Sequence, residues 1–182
     1  MKAILIEPTN RQLIELDLAD DTYFEQMQDV IGGNLDRIQL SRDVDIWVHD
    51  EGLMRLEYEG DQCTSHFFVL HSQGRPYNLI VGNAIIIGFA RENSVSLKSW
   101  QTTDLFKQYI RFVPDEQRNT AARLAEELLG LCGPVSTPEE LEALRAQHTA
   151  ILTQAMEIAT ITHVSSPSAN PPAAAAESAG IH

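Results

Sequence analysis

Cys63, His66 and His71 fall within nine residues of one another, and thiolate and imidazole are the groups zinc prefers. Their C-x2-H-x4-H spacing is not an ordinary zinc spacing. On an extended strand residues three or five apart point to opposite faces, so neither a metal nor another cofactor is expected. His49-Asp50-Glu51 sets an imidazole beside two carboxylates, the materials of general acid–base catalysis. Adjacent residues diverge where a strand enters a turn, and Asp-Glu-Gly is common turn chemistry, so no catalytic residue is assigned there. Ser65-His66 and His71-Ser72 fail as nucleophile pairs for the same reason, since a triad is assembled in space and neither serine sits on a nucleophile elbow.

Residues 82–88 read Gly-Asn-Ala-Ile-Ile-Ile-Gly. They lack the lysine and the following helix of a phosphate-binding loop and read as a buried strand. Asn83 is a polar residue inside an apolar run and must find hydrogen-bond partners, either backbone groups or a ligand. Trp47, Tyr58, Phe67, Phe68 and Tyr77 lie in strand-like sequence beside Arg75. An aromatic pocket with one cation suits a small anionic, nucleotide-like molecule, which nominates Arg75, Tyr77 and Asn83 as ligand residues.

The elements that would hold these groups follow from periodicity. Residues 3–6 and 12–18 alternate about the turn Pro8-Thr9-Asn10 and predict a hairpin with one wet face. Residues 21–32 have helical spacing and stop at Gly32-Gly33-Asn34. Residues 35–40, 44–48 and 53–58 continue as strands of an antiparallel meander. Residues 66–71 and 79–89 are apolar on both sides and predict doubly buried strands, with a last strand over 94–97.

From Thr102 the period shifts towards 3.6, predicting a helix whose face carries Leu105, Phe106, Tyr109, Ile110 and Val113, then a second over residues 115–131. Thr137-Pro138-Glu139-Glu140 matches a capping box with Pro at the first helical position. The helix behind it carries a short heptad seam, Leu141, Leu144, His148, Ile151, Ala155, Ile158 and Thr162. That seam fits antiparallel packing on residues 115–131 or a homodimer through residues 137–162. The fold class expected is α+β, an antiparallel sheet with one short helix packed on it. The organisation expected is an α+β domain over residues 1–100, a helical extension over 101–163 and a disordered tail over 164–182.

The chain carries 26 acidic and 13 basic residues, a net charge of −13. Fifteen acids and five bases lie in residues 1–61, whereas residues 62–113 hold two acids and five bases. Such a balance disfavours nucleic acid and anionic membrane as direct partners. An acidic face built on Asp43, Asp45, Asp50 and Glu51 could engage a basic protein by imitating a phosphate backbone. Two distant cysteines suggest no disulfide framework. With no signal-like or membrane-spanning run, a cytoplasmic location is expected.

Taken together, the opening M-K-A-I-L-I-E-P, the helix ending in I-G-G, the stretch I-W-V-H-D-E-G-L and the late P-Y-N-L-I-V-G-N-A-I-I-I-G resemble a known family. It is the domain-of-unknown-function family numbered three-eight-four-six, short proteins of phages, plasmids and bacteria, and the resemblance covers residues 1 to about 100. It implies a mobile-element setting and transfers no catalytic residue. The expectation that follows is a non-enzymatic accessory protein that occupies a host protein, such as a nucleic-acid-binding one, in counter-defence within the bacterial cytoplasm. The alternatives are a binder or sponge for a nucleotide-like molecule, and an assembly module that oligomerises through its C-terminal helices.

Overall fold

A computed structural model of the chain describes residues 1–160. The expected disordered tail over 164–182 lies outside the described residues. The first hairpin forms as read: β1 (Lys2–Glu7) pairs with β2 (Gln12–Asp17) from Lys2 opposite Asp17 to Glu7 opposite Gln12. Helix α1 (Tyr23–Ile31) ends at Gly32, whose φ of 91° is left-handed and whose N–H closes on the Gln28 carbonyl at 2.8 Å. β3 (Leu35–Ser41) and β4 (Val44–His49) make the second hairpin.

Beyond β4 the meander is not what the chain builds. Gly52–Met54 is one 3-10 turn, and β5 (Tyr58–Glu59) and β6 (Gln62–Cys63) pair only with each other. Then come β7 (Phe67–Ser72), β8 (Arg75–Val81), β9 (Ala84–Ala90) and β10 (Asn93–Val95). The long apolar run over 79–89 is therefore two strands and not one. Gly82, with φ at 76°, and Asn83 break it, and Asn83 Nδ2 donates to the Val30 carbonyl at 3.0 Å, which ties the break to the end of α1.

The break carries the chain from one sheet to another. In the first sheet the order is β2-β1-β9-β4-β3, with β10 also on β9, so β9 sits between the two N-terminal hairpins instead of at the end of a meander. The second sheet holds β7, β8 and a strand the sequence reading missed. The helix expected over 102–113 is only α2 (Thr103–Lys107), and β11 (Ile110–Phe112) pairs antiparallel with β7. Phe106, Tyr109, Ile110 and Val113 satisfy helical spacing. Over residues 110–112, however, the pattern is equally an alternation, and pairing to the open edge of β7 decides it.

Two further helices follow, α3 (Arg118–Gly130) and α4 (Pro138–Ile158). Four layers result. α1 covers one face of the first sheet over Ala3, Ile85 and Ile87. The opposite face, Ile4, Ile6, Val44, Ile46 and Ile86, packs on Phe68, Leu70, Ile80 and Phe112 of the second sheet. The outer face of the second sheet, Phe67, Val69, Leu79 and Val81, is covered by Leu124, Leu128, Leu152 and Ala155 of α3 and α4. β7 and β9 are buried on both faces, which is why their sequences do not alternate. Residues on both sides of residue 100 thus share one core, with Leu53 and Leu56 of the expected strand over 53–58 turned onto it beneath α3.

The capping box forms as read, with Thr137 Oγ1 accepting from Glu140 N at 3.1 Å and Glu140 Oε2 accepting from Thr137 N at 3.2 Å. From there α4 is divided. Residues 138–150 are exposed except for a half-buried Leu144, whereas Ile151, Leu152, Ala155 and Met156 pack on α3 and β8. Ile151 and Ala155 of the heptad seam are therefore committed within the chain. Among the described residues no helix is long and apolar enough to cross a membrane.

Candidate functional site

The four nominated acids do not form one face. Asp43 lies at the β3–β4 turn, where hydrogen bonds from Lys98 at 2.7 Å and from Ser41 at 3.1 Å hold its carboxyl below the usual carboxylate range. Asp45 is 1% exposed; burial raises its pKa, and Arg37, 3.5 Å away, only partly offsets that. Asp50 and Glu51 follow β4 at its other end, roughly 20 Å from Asp43 by the rise of an extended strand. Glu51 is occupied by Arg55 at 3.1 Å, and Asp50 lies 3.2 Å from His49 Nδ1.

Cys63, His66 and His71 also part company. Cys63 is in the core beneath α3, and His66 lines a cleft at the start of β7. His71 is buried at the far end of β7, where burial and then the Arg111 guanidinium hold its imidazole below its usual pKa. Of the ligand nominees, Asn83 is spent on the Val30 carbonyl. Tyr77 is the extra residue of a bulge in β8. Its hydroxyl is buried without a partner, and burial followed by Tyr109 pushes its pKa up to about 12. Arg75, at the start of β8, reaches a different place from both.

Arg75 lines a cleft of about 600 Å³ between the second sheet and α4, together with Arg111, Pro76, Thr149, Thr153 and Met156. The alternation of β11 puts Arg111 there: Ile110 and Phe112 point between the sheets, so Arg111, opposite Val69, faces the helices. Nine of the thirteen Lys and Arg side chains have a carboxylate partner. Arg75 and Arg111 have none among the described residues, and Arg111 Nε is buried with no hydrogen bond. An unpaired buried donor costs about 1–3 kcal/mol, a penalty that an anion in the cleft would remove. Glu157 lines the same cleft and adds one negative charge to its wall.

A second cleft, of about 330 Å³, opens where β8 crosses to β9. His49, Glu57, Ser65 and His66 supply its polar groups and Ile31 and Val81 its apolar ones, with Gly32, Gly52 and Gly82 as backbone wall. His49 Nδ1 accepts from Glu51 N–H at 3.0 Å, and the ring lies so close to Gly33 that a Cβ there would be 2.4 Å from Nε2. Ser65 Oγ accepts from Glu57 N–H at 2.8 Å. Burial, then the Arg118 and Arg11 charges, lower the pKa of His66.

Sequence reasoning nominated Arg75 but missed Arg111, because a helical reading of 102–113 leaves Arg111 off the apolar stripe, a solvated side chain. It missed Thr149 and Thr153 because hydroxyls on an amphipathic helix carry no signal until the packed face is known. Residues 1–110 match the family described as Domain of unknown function (DUF3846), more than half of the chain, and the chain belongs to that family. No curated protein and no solved structure matches it.

Proposed function

We propose that this DUF3846 protein is a non-enzymatic binder of a small phosphate-bearing, nucleotide-like molecule, held by Arg75 and Arg111 between the second sheet and α4. The observation that carries the reading is that two guanidiniums without carboxylate partners share one cleft in a chain of net charge −13. Arg42 and Arg91 also lack a carboxylate partner among the described residues; what singles out Arg75 and Arg111 is a common cleft in which the Arg111 Nε is buried without a partner, and this favours an external anion. Guanidiniums match phosphate oxygens in pairs, and the cleft volume is within the small-ligand range of about 300–1,000 Å³. Pro76 and Met156 supply an apolar floor for the uncharged part of the ligand.

Isothermal titration with pyrophosphate and with nucleoside mono- and diphosphates tests this. A hydrogen bond to a charged group contributes about 1.5–3 kcal/mol, so Arg111→Gln is expected to weaken binding at least about tenfold. Raising the salt concentration should weaken it further. Equal affinity in the wild type and the Arg75→Gln/Arg111→Gln double variant would sink the reading.

A further inference from the structure

The cleft at the β8–β9 crossing lies at the opposite end of β8 from Arg75, roughly 20 Å away by strand rise, so one small ligand does not span both. Its chemistry also differs. Arg55 is committed to Glu51 through both Nε and Nη2, at 3.2 and 3.1 Å. The Glu57 carboxylate, by contrast, has no hydrogen bond or ion pair among the described residues. Ser65 is buried, and its hydroxyl oxygen receives the Glu57 N–H, which leaves the hydroxyl proton free to donate. Beside it His66, kept neutral by burial and by Arg118 and Arg11, offers one donor and one acceptor. Arg118 and Arg11 share Asp115 as their ion-pair partner, which leaves one net positive charge near the cleft that weakly disfavours a cationic ligand, and Glu57 disfavours an anionic one. Ile31 and Val81 are the apolar surfaces, and the glycine walls allow close approach of something flat.

We infer that this cleft binds an uncharged nitrogen heterocycle of the nucleobase type, which presents N–H groups to Glu57 and a mixed donor and acceptor edge to Ser65 and His66. A carboxylate accepts two parallel N–H bonds, and among the common bases guanine supplies them through its ring N1–H and its amino group. The cleft volume is at the small end of the ligand-pocket range, which matches a base or nucleoside and not a larger conjugate.

Saturation-transfer NMR with guanosine, adenosine, cytidine and uridine on the full chain, followed by titration, tests the assignment. Guanosine is expected to bind, with uridine at least fivefold weaker. Glu57→Gln, at an exposed rim position that leaves the core intact, should weaken binding at least tenfold, and Thr64→Trp should abolish it by filling the cleft. Arg111→Gln should change nothing here, which separates this site from the arginine cleft. No transfer from any of the four nucleosides would overturn the assignment. So would binding that survives Glu57→Gln and Thr64→Trp unchanged, or binding lost in Arg111→Gln.

Discussion

The cleft at the strand crossing and the cleft beneath α4 are built from different parts of the chain. Every residue that lines the first lies between Thr9 and Gly82, inside the segment that matches the family. The second takes Arg75 from that segment, but Arg111 lies one residue beyond it and the opposite wall, from Thr149 to Glu157, comes from α4. One cleft thus lies wholly within the segment that matches the family. The other exists only because a helix was laid against the outer face of the second sheet. A helix added to cover Phe67, Val69 and Leu79 also creates a wall opposite whatever polar residues edge that sheet. Here those residues are two arginines.

The sharpest way to break the comparison is to loosen α4 alone. Leu152 is 2% exposed among α3 and β8 neighbours, and Leu152→Ala should cost about 2–5 kcal/mol in denaturant unfolding. Pyrophosphate binding should weaken in that variant while nucleoside binding in the crossing cleft persists. Gly33→Ala acts from the other side, because its methyl would sit 2.4 Å from His49 Nε2 and force the ring out of place. A loss of about 1–3 kcal/mol is expected from such overpacking, with the crossing cleft disturbed and the arginine cleft intact.

A smaller effect should separate the two halves of α4. Thr137→Ala removes the side-chain half of the capping box, the hydrogen bond from Glu140 N–H to Thr137 Oγ1, and should cost about 1 kcal/mol of local helix stability. Hydrogen exchange should accelerate over residues 138–150 and stay unchanged over 151–158, with neither cleft affected. The smallest effect is in pH. His66 and His71 have pKa values lowered from 6.5, so the unfolded chain takes up protons first and stability falls as pH drops below about 6.5. His71→Phe should flatten that decline. Burial is the larger cause of the lowered His71 pKa and Arg111 the lesser, so an anion bound beside Arg111 should flatten the decline only in part in the wild type; an unchanged slope in saturating pyrophosphate would contradict this.

How much of this the sequence disclosed depended on whether a local pattern had one structural solution. The Thr137 capping box and the hairpin about Pro8 had one each, and both formed. Residues 102–113 had two, and the choice was made by the unpaired edge of β7, about forty residues earlier in the chain. The run over 79–89 looked continuous because burial on both faces removes alternation. Its one local clue is Gly82-Asn83, a polar interruption that does not by itself signal a crossing between sheets. The acids misled in the opposite sense. Asp45 alternates with apolar neighbours and reads as exposed, yet the odd-numbered face of β4 is covered as well. Arg75 was legible as a lone cation among aromatics. Its partner Arg111 was not, because pairing across a sheet is invisible until the register is known.

The position of β9 has a consequence for the order in which this protein is made. β1 and β4 are the strands that flank it, yet both are synthesised well before it: β4 ends at His49 and β9 begins at Ala84. At ribosomal rates of about 5–20 residues per second, the two hairpins wait a few seconds with apolar edges bare, and each is a template for the other. Direct β1–β4 pairing would close the sheet one strand short and leave β9 with nowhere to insert. A nascent chain stalled before β9 has left the ribosome should therefore be a better substrate for chaperones than one stalled after β9 has emerged.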